Sequence, residues 1–254
     1  MSVIGVVSMK GGVGKTSTTA NLAAAIAGKL GPGRVSVVDL DPQNALHWHF
    51  GLESVNAKGV CEQSLHGGDW RGVASVSDFG VTCLPYGDAS EKDREAFEAL
   101  LADKPDWVGT CLKHAGLDDD AVVLIDTPPG PSVYLRQVFA CADLVLIVLL
   151  ADAGSYATIP AMESWLEDTL VVHPPLGSLY VLNQVDSREH LNRDVAEVLH
   201  QKLGARLIPV RIHYDEAVTE ALAFQQPVLV YDPHGQASHD LARLAALAID
   251  TLNQ

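Results

Sequence analysis

The chain has 254 residues, enough for one sizeable α/β domain or two small ones. Hydrophobic residues make up 48%, and 17 Lys plus Arg face 32 Asp plus Glu, a net charge of −15. That balance argues against a general affinity for nucleic acid or anionic lipid, both of which need clustered cations. The cysteines at 61, 83, 111 and 141 form no CxxC pair, and no signal peptide is read, so a reduced, cytoplasmic setting is expected. The longest apolar run, Leu144 to Ala151, is far short of the ~20 residues a transmembrane helix needs.

In chain order, β-branched and apolar runs at Val3–Val7, Val35–Val38, Val81–Leu84, Val122–Ile125, Leu144–Leu150, Leu179–Leu182 and Arg206–Ile208 read as strands. Unbroken runs such as Val122–Ile125 suit strands covered on both faces, as in parallel sheets. Helical spacing separates them: Ala20, Ala23, Ala24 and Ala27, ended by Gly28 and Gly31-Pro32-Gly33; Leu191, Val195, Val198 and Leu199; and Leu241, Leu244, Ala245 and Ala248. Ser54 to Gly80 reads as irregular surface loops, and Asp118-Asp119-Asp120 as a solvated turn. No linker or internal repeat divides the chain. The expectation is one domain over residues 1–254, a doubly wound, mostly parallel sheet flanked by helices.

The first strand runs into Lys10-Gly11-Gly12-Val13-Gly14-Lys15-Thr16-Ser17 and then a helix. Glycines there let successive N–H groups turn inward onto phosphate oxygens, and the new helix adds its N-terminal dipole. In such a loop Lys15 reaches the β and γ phosphates and Thr16 binds Mg²⁺. The usual first glycine is replaced by Met9, and Lys10 heads the loop instead. Asp39-Leu40-Asp41-Pro42 and Val122–Asp126 with Thr127-Pro128-Pro129-Gly130 each end a strand in carboxylates, as a metal-assisted phosphoryl transfer site requires. His47 and His49 invite a zinc reading, but no third ligand has suitable spacing.

The loop resembles the deviant phosphate loop of the MinD/ParA class of P-loop ATPases. That resemblance implies bound ATP or ADP with Mg²⁺, and a homodimer sandwiching two nucleotides into which Lys10 reaches across. It implies that Asp41 positions the attacking water, that Asp39, Asp126 and Thr16 serve the metal, and that the Gly130 N–H senses the γ-phosphate. Asn183 then contacts adenine, and Ile208-Pro209-Val210-Arg211 packs around the base, with Pro209 and Arg211 as contacts. Further stretches, Pro128–Leu135 and Ala151–Thr158 above all, are similar to the ParA-like proteins of bacterial cellulose-synthase operons, the BcsQ family. This implies an accessory protein working with a short regulator and the inner-membrane synthase complex, meeting the membrane only through those partners. Both Lys10 and Lys15 are kept, which favours a slow but competent ATPase; a partitioning or positioning ATPase and a non-hydrolysing nucleotide-gated scaffold are the alternatives. The tail Leu241–Gln254 carries Arg243 as its one cation and reads as a core helix rather than a membrane anchor. Cys111 and Cys141 lack the setting of an iron–sulfur ligand pair.

Overall fold

The computed structural model describes residues 1–52, 58–169 and 177–253. An eight-stranded sheet forms its centre, in the order β3-β4-β2-β5-β1-β6-β7-β8. The strands are β1 (Ser2–Val7), β2 (Val35–Asp39), β3 (Ser75–Val76), β4 (Val81–Leu84), β5 (Val122–Asp126), β6 (Leu144–Leu150), β7 (Gly177–Val185) and β8 (Leu207–His213). All pairings are parallel except the two-residue β3 against β4. The expected doubly wound α/β sheet is therefore present, with β3 as an addition too short to leave a sequence signal.

Side chains alternate between the two faces along each strand. Val3 and Val7 of β1 join one core with α2 (Val60–Leu65), α3 (Glu91–Asp103), α4 (Trp107–His114), α5 (Val133–Cys141), α6 (Ala153–Thr169) and α7 (His190–Leu203). Ile4 and Val6 join the other, under α1 (Lys15–Leu30), α8 (Glu216–Ala223), α9 (Val228–Tyr231) and α10 (Gln236–Leu252). Burial on both faces explains why the strands read as unbroken apolar runs. Leu241, Leu244, Ala245 and Ala248 of α10 are all buried, so this is a core helix.

Some boundaries differ from expectation. Helix α1 passes through Gly28 and stops at Leu30, where Gly31 adopts φ 96°. In α7 the inward face is Ala196, Leu199 and Leu203, whereas Leu191 and Val198 are exposed. Its apolar positions outnumber those the core can take, so spacing misassigned the face. Of the irregular Ser54–Gly80 stretch, residues 54–57 lie outside the described residues. The rest holds α2 and a 3-10 turn whose Trp70 is wholly buried, its indole N–H donated to Ser64 Oγ at 3.1 Å. No described helix is long and apolar enough to cross a membrane.

The tightest approach between sheet and helix is at Gly5. A Cβ there would sit 2.1 Å from Val138 Cγ1, so α5 packs directly onto the β1 backbone. Gly5→Ala is expected to destabilise the fold by about 1–3 kcal/mol through overpacking. Urea unfolding would measure this, and adding Val138→Ala should recover part of the loss.

Candidate nucleotide site

Every predicted site element except one emerges at the C-terminal edge of the parallel strands, where open α/β sheets place ligands. The loop after β1 ends at Gly14, which caps α1 in the left-handed region (φ 81°, ψ 29°). No side chain caps this helix, and its first turn holds no acidic residue. Its leading N–H groups therefore lack intrahelical acceptors and carry the positive end of the dipole. Gly12 also has positive φ (74°), and a Cβ there would meet nothing within 4 Å, so this part of the loop faces open space. Val13 anchors the loop in the core. Lys15 is buried, and Thr16 and Ser17 follow it in the first turn.

Asp39 and Asp126 end adjacent strands and lie opposite each other in the β2–β5 register. Both are fully buried. Asp126 Oδ2 accepts the Thr16 hydroxyl at 2.6 Å, and Oδ1 accepts that of Thr19 at 3.2 Å. Asp39 accepts the backbone N–H groups of Asp41 (2.9 Å) and Leu46 (3.0 Å). Burial raises the pKa of Asp39 well above the carboxylate range, and the charge of Asp126 adds to this. Burial likewise lifts Asp126 to about 6, against the opposing pull of Lys15 and the Thr16 hydroxyl. Two carboxylates and a hydroxyl at one strand edge are an all-oxygen donor set, the kind that suits Mg²⁺. Asp39 also holds the loop after β2, one N–H bond on each oxygen leaving further acceptor positions on both. Asp41 heads the same loop, closing a turn through its Oδ1 on the Gln43 N–H at 2.9 Å.

Lys10 is held within its own chain: Nζ meets Asp152 Oδ2 at 2.5 Å, at the start of α6. Gly154 leaves room for the lysine, since a Cβ there would come within 3.2 Å of Nζ. Asp152 also accepts the Ser155 N–H at 2.6 Å, and the Ser155 hydroxyl accepts the Leu150 N–H at 3.0 Å. The segment Ala151–Thr158 thus builds a seat for Lys10. The Gly130 N–H, expected at the γ-phosphate, is donated here to the Ser8 carbonyl at 2.9 Å, with φ 83°. A phosphate contact requires that bond to be exchanged.

Beside the loop lies a cavity of about 170 Å³, lined by Gly14, Ser17, Asn183, Ile212, Tyr214 and Leu222 among others. Asn183 donates Nδ2 to the Val13 carbonyl at 2.8 Å, tying the end of β7 to the phosphate loop. Gln184, at φ 54°, breaks the regular strand beside it. Pro209 and Arg211 are not part of this lining. The family resemblance put them beside the base, but β8 continues to His213, so both sit within the strand. Pro209 is exposed on this outermost strand, where a missing N–H is tolerated. The residues that reach the cavity are Ile212, His213, Tyr214 and Asp215.

Thr19, Asp152 and His213 were not singled out from sequence. Asp152 lies within Ala151–Thr158, whose similarity to the BcsQ family is its one sequence signal; Thr19 looks like any helix threonine. His47 and His49 are buried in a 3-10 turn (Leu46–Phe50), and burial pushes His49 down to about 4. Among the described residues no group of three or more His, Cys, Asp or Glu is arranged to hold a metal.

This fold and loop define a P-loop protein of the MinD/ParA class. Two solved structures share the architecture. Cobyrinic acid a,c-diamide synthase from Mycobacterium smegmatis, with bound ATP analogue and magnesium, has TM-score 0.80 at 23% identity, covering 100% of this chain and 96% of that one. The septum site-determining protein MinD from Pyrococcus horikoshii, complexed with Mg-ADP, has TM-score 0.78 at 20% identity, covering 97% and 95%. Within the class, the model of the family "Cellulose biosynthesis protein BcsQ" matches residues 1–249, and the chain belongs to that family. It is 28% identical to BcsQ of Salmonella typhimurium over 248 residues (96% of this chain, 93% of that protein). It is also 30% identical to the chromosome-partitioning ATPase Soj of Thermus thermophilus over 244 residues (95% and 93%).

The buried carboxylates predict a pH effect. The folded pKa of Asp126 exceeds its ordinary 3.8, so between about 4 and about 6 the folded state binds the extra proton, and stability falls as pH rises through that window. Asp126→Asn should therefore melt higher than wild type at pH 7.5 without Mg²⁺ or nucleotide, with the gap narrowing towards pH 4. Thermal scans across that range test it; a variant less stable than wild type at pH 7.5 would contradict it.

Proposed function

We propose that this chain is an ATP-binding, ATP-dependently dimerising accessory protein of bacterial cellulose biosynthesis that hydrolyses ATP slowly with Mg²⁺. The observation that carries the reading is the convergence of the Lys10–Thr16 loop with Asp39, Asp41 and Asp126 at one sheet edge. Membership of the BcsQ family supports the cellulose context.

Gly11, Gly12, Val13 and Gly14 present backbone N–H groups to the phosphates, with Lys15, Thr16 and Ser17 completing the cradle. Thr16, Asp39 and Asp126 would hold Mg²⁺. When bound there, the metal would supply positive charge against the phosphates. Asp41 orients the attacking water, and Gly130 exchanges Ser8 for the γ-phosphate. Asn183 meets the base. Lys10 leaves Asp152 to serve the nucleotide of the second subunit, which makes the dimer part of the site. Work with the synthase complex and its short regulator follows from the family, with membrane contact through those proteins.

A Soj-like partitioning role is the second reading, favoured by the 30% identity to that protein. The net charge of −15 weighs against it, because non-specific DNA binding rests on cationic phosphate contacts.

Lys15→Ala should abolish binding of a fluorescent ATP analogue. Asp41→Ala should bind ATP normally but lose hydrolysis by about 100-fold or more, the usual worth of a positioned base. Lys10→Ala should bind ATP yet stay monomeric in light scattering with ATP and Mg²⁺. Wild-type turnover in Asp41→Ala would remove that residue from the mechanism. Co-purification from the native operon with ATP and with ADP tests the cellulose role; no synthase component in either state would overturn it while leaving the ATPase reading standing.

A further inference from the structure

β8 delivers His213 to the cavity beside the phosphate loop, and the ring is held in a fixed orientation there. Nδ1 lies 2.8 Å from Asp240 Oδ2, and the same oxygen accepts the His213 backbone N–H at 3.0 Å. Asp240 Oδ1 accepts the Gln236 side-chain amide at 3.0 Å. The Asp240 side chain is 2% exposed, while that of His213 is 35% exposed. A buried carboxylate surrounded by donors is a positioning device rather than a surface ion pair.

The bonding settles which ring nitrogen carries the proton. An ionised carboxylate only accepts, so Nδ1 must donate. In the neutral imidazole Nε2, on the opposite edge, is then an acceptor. Asn183 gives one amide N–H to Val13 and keeps a second N–H and its Oδ1 for a ligand. Ile212, Val218, Leu222 and Leu241 give the cavity an apolar lining suited to the faces of a flat heterocycle. An acceptor at the edge of such a slot favours a base edge that donates and disfavours one that carries a carbonyl there.

We propose that His213, oriented by Asp240, is a base-selecting residue of this site, its Nε2 accepting a hydrogen bond from the exocyclic amine of adenine. The inference rests on the nucleotide-binding reading above and deepens it. A base with a carbonyl at that position leaves Nε2 facing another acceptor, so the pair loses a bond and gains a repulsion. Asp240 acts through His213 and touches no ligand itself.

The test is competition binding of ATP and inosine triphosphate, which differ at the position of the amine, to wild type, His213→Ala and His213→Phe. Thermal melts check that each variant is folded. Wild type should prefer ATP. Both variants should weaken ATP by about tenfold, the worth of a single good hydrogen bond, and leave inosine triphosphate nearly unchanged, so the preference collapses. The phenylalanine variant keeps the ring and loses the acceptor; if it behaves as wild type, the ring acts by stacking and the proposal fails. Equal losses for both nucleotides would also overturn it. So would a loss that disappears with 2′- or 3′-deoxy-ATP, which would assign Nε2 to a ribose hydroxyl. If the wild-type protein binds no ATP at all, the function proposed above falls and takes this inference with it. The other adverse outcomes remove only the role of His213.

Discussion

Asp39 and Asp126 stand side by side, fully buried, at the ends of adjacent central strands. Two carboxylates in that position repel each other and lose their hydration, which is why both resist ionisation. What offsets the cost is local and specific. Asp126 accepts the hydroxyls of Thr16 and Thr19, with Lys15 nearby, and Asp39 takes the N–H groups of Asp41 and Leu46. The phosphate loop, the first helix and the loop carrying Asp41 are thereby tied to one pair of side chains. The cluster remains short of positive charge, and this electrostatic deficit is what suits it to a cation.

The same edge of the sheet organises everything else. β1 delivers the phosphate loop, β2 delivers Asp41, β5 delivers Asp126 and Gly130, β6 delivers Asp152, β7 delivers Asn183, and β8 delivers His213. Parallel strands make this inevitable, since all of their C-terminal ends face one way. Two segments, Pro128–Leu135 and Ala151–Thr158, support these groups. Within Pro128–Leu135, Ser132 caps α5 by accepting the Leu135 N–H at 3.2 Å, and the Tyr134 hydroxyl meets that of Tyr86 at 3.0 Å. Tyr86 precedes Gly87, whose N–H is donated to Asn44 Oδ1 in the loop after Asp41. The helix after Asp126 and the loop after Asp39 are therefore joined by packed side chains beneath the site. Ala151–Thr158 does the corresponding work for Lys10, through Asp152 and the space left by Gly154.

Much of this was legible beforehand, for identifiable reasons. Unbroken apolar runs ended by carboxylates announce buried parallel strands with polar groups at their exits, and the glycine and lysine string at Lys10–Thr16 has few other physical uses. β3 and the buried Trp70 escaped because short or irregular segments lack a period. Pro209 and Arg211, assigned to the base by the family resemblance, lie within β8, which runs on to His213 and tolerates the missing N–H because it is an outermost strand.

The chain by itself determined the class of fold, the phosphate loop and the strand-end acids, because each depends on residue type within a short window. Tertiary structure decided the partners. The pairings of Lys10 with Asp152, of Tyr86 with Tyr134, and of His213 with Asp240 span 142, 48 and 27 residues. No local pattern encodes contacts at that range; they exist because the strand order brings those segments to the same edge. Lys10 shows the division. Its place at the head of the loop could be read from its neighbours, but only the packed sheet revealed the carboxylate that holds it.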